Sequence, residues 1–93
     1  MWRSIIQKNK ECYFCGTTQN LQKHHIFGGS RRKFSEADGL YVWLCFRHHC
    51  SDDRYAVHNN KDMMQKLHEI GQKAYEEDHT RQEFMERYGK NYL

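Results

Sequence analysis

The sequence of 93 residues contains no proline, and it shows no internal repeat and no low-complexity linker that would separate two domains. It also lacks any run near the roughly 20 apolar residues that a membrane span needs. Its first residues hold no apolar run followed by a small-residue cleavage site of the kind found in secreted proteins. These absences predict one continuous domain over residues 1–93, located in the cytoplasm and not in a membrane.

Apolar residues are also scarce, at 38% hydrophobic against 29% charged. A chain this short buries a modest fraction of its surface, and domains of this size commonly add a disulfide, a metal or a partner subunit. Cysteines in a reducing cytosol are more often metal ligands or catalytic groups than disulfides. The four cysteines and seven histidines therefore favour a metal.

The net charge of +3 is unevenly placed. Residues 1–54 carry nine basic side chains against five acidic ones, whereas residues 55–93 carry six against seven. A basic first half indicates an anionic partner. Within it, Arg31, Arg32 and Lys33 follow a glycine-rich turn in what we expect to be a loop, where they could contact nucleic-acid phosphates. A basic loop that is merely solvated is the alternative.

The pattern of apolar residues predicts two strands followed by two helices. Residues 21–26 and 40–45 suit strands, the second of them rich in β-branched and aromatic residues. A helix should begin after Asn59 or Asn60 and run to about Glu77, with one apolar face. Thr80 and Glu83 then form a capping-box pattern for a last helix. The expected fold class is small α+β, with a metal-binding core over residues 12–60 and a helical C-terminal extension over residues 60–93.

Two pairs of thiol and imidazole ligands have chelating spacing. Two residues separate Cys12 from Cys15, and two residues likewise separate Cys45 from His48. Such a gap lets both side chains reach one ion, and two pairs complete a tetrahedron with no open position. The pattern predicts a structural zinc. Two alternatives stay open: Cys50 replaces His48 as the fourth ligand, or the cysteines are simply small buried apolar residues.

Four further histidines remain after this zinc is satisfied: His24, His25, His49 and His58. Neutral imidazole binds transition metals, and histidine titrates near neutrality, so it can also deprotonate water. On a regular strand His24 and His25 would point to opposite faces. Solvated surface histidines without a role are the alternative interpretation.

These motifs together resemble one nuclease family. In order along the chain they are Cys-x2-Cys, then Lys-His-His-Ile, then Trp-Leu-Cys-Phe-Arg-His-His, then Ala-Val-His. The series is similar to the HNH, or His-Me finger, endonucleases, and most similar to their zinc-stabilised phage type, over about residues 12–60. The resemblance implies a ββα-metal unit, in which two strands and a helix hold one catalytic divalent ion (Mg, Mn, Ni or Zn).

The resemblance also implies a role for each histidine. By position in the motif, His25 would be the general base, and His24, His49 and His58 would be ligands of the catalytic ion. One place departs from the family, which often has an asparagine where the second strand begins. That asparagine tethers the loop carrying the base or binds the ion, and this chain has Gly39 or Leu40 there.

The expected function is a metal-dependent endonuclease that hydrolyses phosphodiester bonds in DNA, most simply double-stranded DNA, in a bacterial or phage-infected cell. A different class of function stays open. The chain could be a non-catalytic zinc-binding module that binds nucleic acid or a protein in a phage or host complex, with the C-terminal helices as the docking surface. Cleavage of a plasmid in the presence of divalent ions distinguishes the two.

Overall fold

The computed structural model describes residues 4–49 and 56–93. These residues form a two-stranded sheet and four α-helices, in the order β1 (Leu21–His25), α1 (Arg32–Ala37), β2 (Tyr41–Cys45), α2 (Phe46–His49), α3 (Lys61–Tyr75) and α4 (Arg81–Tyr88). Single 3-10 turns cover Gly29–Arg31 and Val57–Asn59. None of these helices is both long and apolar enough to cross a membrane. The expected α+β class is confirmed.

The two strands pair antiparallel, and both were predicted to within one residue of their observed ends. His25 lies opposite Tyr41, and Leu21 lies opposite Cys45 at the other end of the ladder. Because side chains alternate between the faces of a strand, His24 belongs to the face that is buried in the core. His25, the last residue of β1, belongs to the other face.

The connection between the strands is helical where a loop was expected. The basic cluster Arg31–Lys33 lies at the junction of the 3-10 turn and α1. The buried Ser35 explains this local order, because its hydroxyl accepts from the Phe27 amide at 3.3 Å and donates to the Leu40 carbonyl. One side chain thereby ties α1 to the end of β1 and to the residue before β2.

The helix α3 packs on the chain immediately after His25. It begins at the expected cap, since the Asn60 side chain accepts from the Met63 amide at 3.1 Å. It ends at Tyr75, two residues before the predicted Glu77. A Cβ atom built on Gly71 would lie 2.9 Å from Ile26 Cγ2, so the close approach of α3 to β1 depends on glycine at this position.

The last helix, α4, closes the other side of the core. Its predicted capping box between Thr80 and Glu83 is present, and Gly89 ends it with a φ of 80°. Arg87 bonds Asp38 at 2.6 Å and 3.0 Å, and Tyr88 donates to the same carboxylate at 2.5 Å. These bonds attach the C-terminal helix to the residue that caps the C-terminal end of α1.

Candidate active site

The first metal-binding cluster is built by a tight turn beside β2. The Gly16 amide donates to the Cys12 carbonyl at 2.8 Å, and Gly16 has a φ of 77°, a conformation that favours glycine. The Tyr13 amide donates to the Trp43 carbonyl at 2.8 Å, which places the turn next to β2. Cys45 ends β2, and His48 follows it in α2.

The spacing of the four ligand atoms suits a tetrahedral zinc. Cys15 Sγ lies 3.8 Å from Cys45 Sγ, and His48 Nδ1 lies 3.5 Å and 3.2 Å from the sulfurs of Cys12 and Cys45. A tetrahedron with ordinary zinc–sulfur and zinc–nitrogen bonds has sulfur–sulfur edges of about 3.8 Å and sulfur–nitrogen edges of about 3.5 Å. This predicted cluster could therefore hold a zinc ion. The alternative ligand, Cys50, lies outside the described residues.

The thiol of Cys12 is prepared for metal binding by the backbone around it. Burial would raise its pKa, but hydrogen bonds from the backbone of Cys45, Cys15 and Phe14 lower the pKa to about 6. Thiolate is the form that binds a metal. A cradle of amides that favours thiolate is therefore consistent with a metal ligand.

A second cluster joins three histidines from separate parts of the chain. The imidazole nitrogens of His24, His49 and His58 lie within 4.8 Å of one another. His24 Nε2 is buried and has no hydrogen-bond partner within residues 4–49 and 56–93. Burial, and then the proximity of the other two histidines, lower the pKa of His24 to about 3. His24 is therefore neutral at cellular pH, with a buried nitrogen that a metal ion would satisfy.

Gln22 orients one of these histidines, although it was not among the predicted site residues. Its Oε1 lies 2.6 Å from His49 Nδ1, which assigns the proton to Nδ1 and leaves Nε2 as the nitrogen able to bind a metal. Burial lowers the pKa of His49 as well. Gln22 lies two residues before His24 on the same strand, so strand periodicity was a signal that could have identified it.

His25 contacts a different group of side chains from its neighbour His24. Its Nε2 lies 2.6 Å from Glu36 Oε1, and its Nδ1 accepts from Arg32 Nε at 3.3 Å. Glu36 also accepts from Lys23 at 3.3 Å, and hydrogen bonds from His25 and Lys23 lower its pKa. Glu36 was missed because nothing in the sequence links it to a histidine eleven residues away.

The three clustered histidines and His25 open onto one cleft. It is lined by Lys23, His24, His25, Gly28, Arg32, His49 and His58. His24 and His25 alternate between the faces of β1, yet both reach this cleft, because β1 ends at His25 and the chain turns away through Gly28. The four histidines predicted as base and ligands are thus brought together at one surface.

The three basic residues predicted to contact nucleic acid have different surroundings. Arg32 is exposed and touches His25 at the cleft. Lys33 is exposed, with its ammonium 5.2 Å from the centre of the Phe34 ring. Arg31 is half-buried, and its guanidinium lies 2.9 Å from where a Cβ of Gly89 would stand, against the end of α4. Only Arg32 of the three lies at the histidine cleft.

Comparison with known proteins adds no relative. No protein-family model, no curated protein and no solved structure matches the chain. Function is therefore inferred from the geometry of the two clusters. Among the described residues, the cysteine-rich cluster offers four ligands, enough to enclose an ion. The histidine cluster offers three, which would leave a bound ion with coordination positions for water or substrate.

Proposed function

We propose that this protein is a metal-dependent endonuclease of the HNH type that hydrolyses phosphodiester bonds in DNA. The observation that carries the proposal is the cleft in which three clustered histidines, His24, His49 and His58, adjoin a fourth, His25, held by a carboxylate. In this proposal β1, β2 and the segment from His58 into α3 form a ββα-metal unit, and the four-ligand cluster holds a structural zinc.

The residues of the second cluster fit a divalent ion. The unpartnered, buried Nε2 of His24 and the Gln22-oriented ring of His49 are both suited to metal binding. A three-histidine set with open positions is typical of catalytic metal sites. A divalent ion bound there would supply positive charge to stabilise the phosphate in the transition state.

His25 is the proposed general base. It removes a proton from the attacking water through Nδ1 as the water oxygen bonds to phosphorus and the bond to the leaving sugar oxygen breaks. The leaving oxygen gains a proton from solvent, and His25 later returns its proton to solvent. The reaction consumes one water and yields a phosphate monoester end and a hydroxyl end, so no other reactant is needed.

Arg32 is the proposed phosphate contact nearest the base. In the structure its guanidinium rests on His25 Nδ1 at 3.3 Å. A phosphate is a stronger partner for guanidinium than a neutral imidazole is, because its hydrogen bonds are charge-assisted and bidentate. Binding of the nucleic-acid backbone would therefore draw Arg32 from the ring and open Nδ1 to water.

The test is plasmid nicking by zinc-loaded protein with added magnesium, manganese, nickel or zinc. We expect His25→Ala to keep its fold, its zinc and its DNA affinity, and to lose cleavage by about 10²–10⁴-fold, the usual contribution of a general base. His49→Ala and His58→Ala should instead raise the concentration of added ion needed for cleavage. His79→Ala is the matched control, because His79 is exposed and its ring stacks on Tyr75 outside the cleft.

The alternative function has a distinct outcome in the same experiment. If the wild-type protein binds DNA but nicks it with none of the four ions, the chain is a zinc-binding module without catalytic activity. Equal cleavage by wild type and His25→Ala would mean that the protein is an enzyme whose mechanism does not use His25.

A further inference from the structure

Glu36 is held in place by contacts of the residues on either side of it, Ser35 in α1 and Asp38 at the C-cap of α1. Ser35, immediately before it, is fully buried and bonds both ends of the strand connection. Asp38, two residues after it, accepts bonds from Arg87 and Tyr88 of α4. Glu36 is therefore presented to His25 from a short helix whose position the rest of the fold determines.

The contacts of His25 also locate its ring proton. The Arg32 guanidinium can donate hydrogen bonds but cannot accept them, so His25 Nδ1, which it touches at 3.3 Å, must be the accepting nitrogen. In the neutral ring the proton then lies on Nε2, which is 2.6 Å from Glu36 Oε1. The geometry leaves Nδ1 as the basic nitrogen, on the side of the ring that Arg32 covers.

We propose that Glu36 is a positioning residue for His25, holding the Nε2 proton so that Nδ1 is directed into the cleft as the base. This inference rests on the proposed function. Glu36 touches neither water nor phosphate in this role and acts only through the imidazole. Gly39, two residues before β2, has no side chain with which to hold His25.

The first readout does not depend on cleavage. In zinc-loaded protein without DNA, the Nε2 proton of His25 should give a downfield, slowly exchanging NMR resonance, assigned by its loss in His25→Ala. Glu36→Gln keeps an accepting oxygen, so the resonance should persist but move upfield. In Glu36→Ala it should disappear through exchange with water. An unchanged resonance in Glu36→Ala would overturn the proposal.

The second readout is kinetic. Glu36→Ala should lower kcat about tenfold or more, but by no more than His25→Ala does, while KM and the concentration of ion required stay unchanged. In the His25→Ala background, Glu36→Ala should cost nothing further, since it acts only through that ring. Glu36→Gln should recover part of the loss. The matched control is Glu86→Ala, an exposed glutamate on α4 that accepts from Gln82.

Outcomes of the two readouts separate this inference from the proposed function. A further loss of kcat when Glu36→Ala is added to His25→Ala would show that Glu36 has a merely structural role, and it would overturn the proposal. If the wild-type protein cleaves nothing, the proposed function fails, and the NMR resonance alone then decides whether Glu36 holds the His25 proton.

Discussion

The two ligand clusters of this small protein differ in how they are assembled and how complete they are. The cysteine-rich cluster, Cys12, Cys15, Cys45 and His48, comes from two local turns and offers four ligands. The histidine cluster, His24, His49 and His58, comes from one strand and two later segments and offers three. An ion bound by the first cluster would have no open position for a substrate, whereas the three described ligands of the second would leave one.

The difference predicts that a metal in the cysteine-rich cluster would stabilise the fold, whereas the histidine cluster without a bound ion carries a cost in stability. In the cysteine-rich cluster the backbone lowers the pKa of Cys12 and so favours the metal-binding thiolate. In the histidine cluster His24 keeps a buried nitrogen without a partner in the described part of the chain. A buried polar atom left unsatisfied destabilises a fold, and a ligand bound to His24 would remove that cost.

The largest effect expected from this comparison is loss of the whole fold when the four-ligand cluster is broken. A structural zinc in a small domain is worth about 10–16 kcal/mol of binding free energy at neutral pH, as much as the entire stability of most domains. We therefore expect Cys45→Ser, or strong chelation of the wild type, to abolish zinc binding and cooperative unfolding. Elemental analysis and circular dichroism measure both.

The matched variant for this prediction lies in the other cluster. His58→Ala should keep one zinc per chain and a cooperative unfolding transition, since His58 is exposed and outside the four-ligand set. Folded wild-type protein that contains no zinc would break the comparison, because both clusters would then be dispensable for folding.

Much of the fold could be predicted because its signals are local. The two-residue gaps between Cys12 and Cys15 and between Cys45 and His48 identify a cluster without any tertiary information. The capping box of Thr80 and Glu83 is likewise contained within four residues, and it is present. Local composition placed both strands to within one residue of their observed ends.

The missed parts depend on long-range contacts. The short helix α1 was expected as a loop, because its order comes from Ser35 bonding both strand ends and not from its own propensity. Glu36 could not be connected with His25 for the same reason. A resemblance in the motifs suggested roles for the histidines, but nothing in the sequence indicated which of Arg31, Arg32 and Lys33 would lie at the cleft.

A substitution in the histidine cluster is expected to have a smaller effect on stability, and one of opposite sign, because it should stabilise the fold. His24→Leu removes the unpartnered nitrogen and keeps a buried side chain of similar size. We expect it to stabilise protein that carries only the structural zinc by about 1–3 kcal/mol in urea at pH 8, since this is the usual cost of an unsatisfied buried group. It should also remove the second ion and cleavage. Destabilisation by His24→Leu would mean that the nitrogen already has a partner.

The same variant should show a dependence on pH. The pKa of His24 is lowered to about 3 by burial and its histidine neighbours, so the unfolded chain takes up a proton near pH 6.5 while the folded one does not. Wild-type stability therefore falls as pH decreases from about 6.5 towards about 3. His24→Leu lacks this proton uptake, so its stability advantage over wild type should widen by roughly 1 kcal/mol between pH 8 and pH 5.5.

The smallest expected effect tests whether DNA contacts the histidine cleft. Arg31 and Arg32 are adjacent, yet Arg32 touches His25 at the cleft while Arg31 packs against Gly89. Each lost phosphate contact lowers the slope of log affinity against log salt by about 0.9. Arg32→Ala should show one such decrease in DNA titrations from low to moderate salt, and Arg31→Ala should show none. Equal slopes for the two variants would mean that the backbone of the DNA passes elsewhere, and the histidine cleft would lose its nearest contact to the substrate.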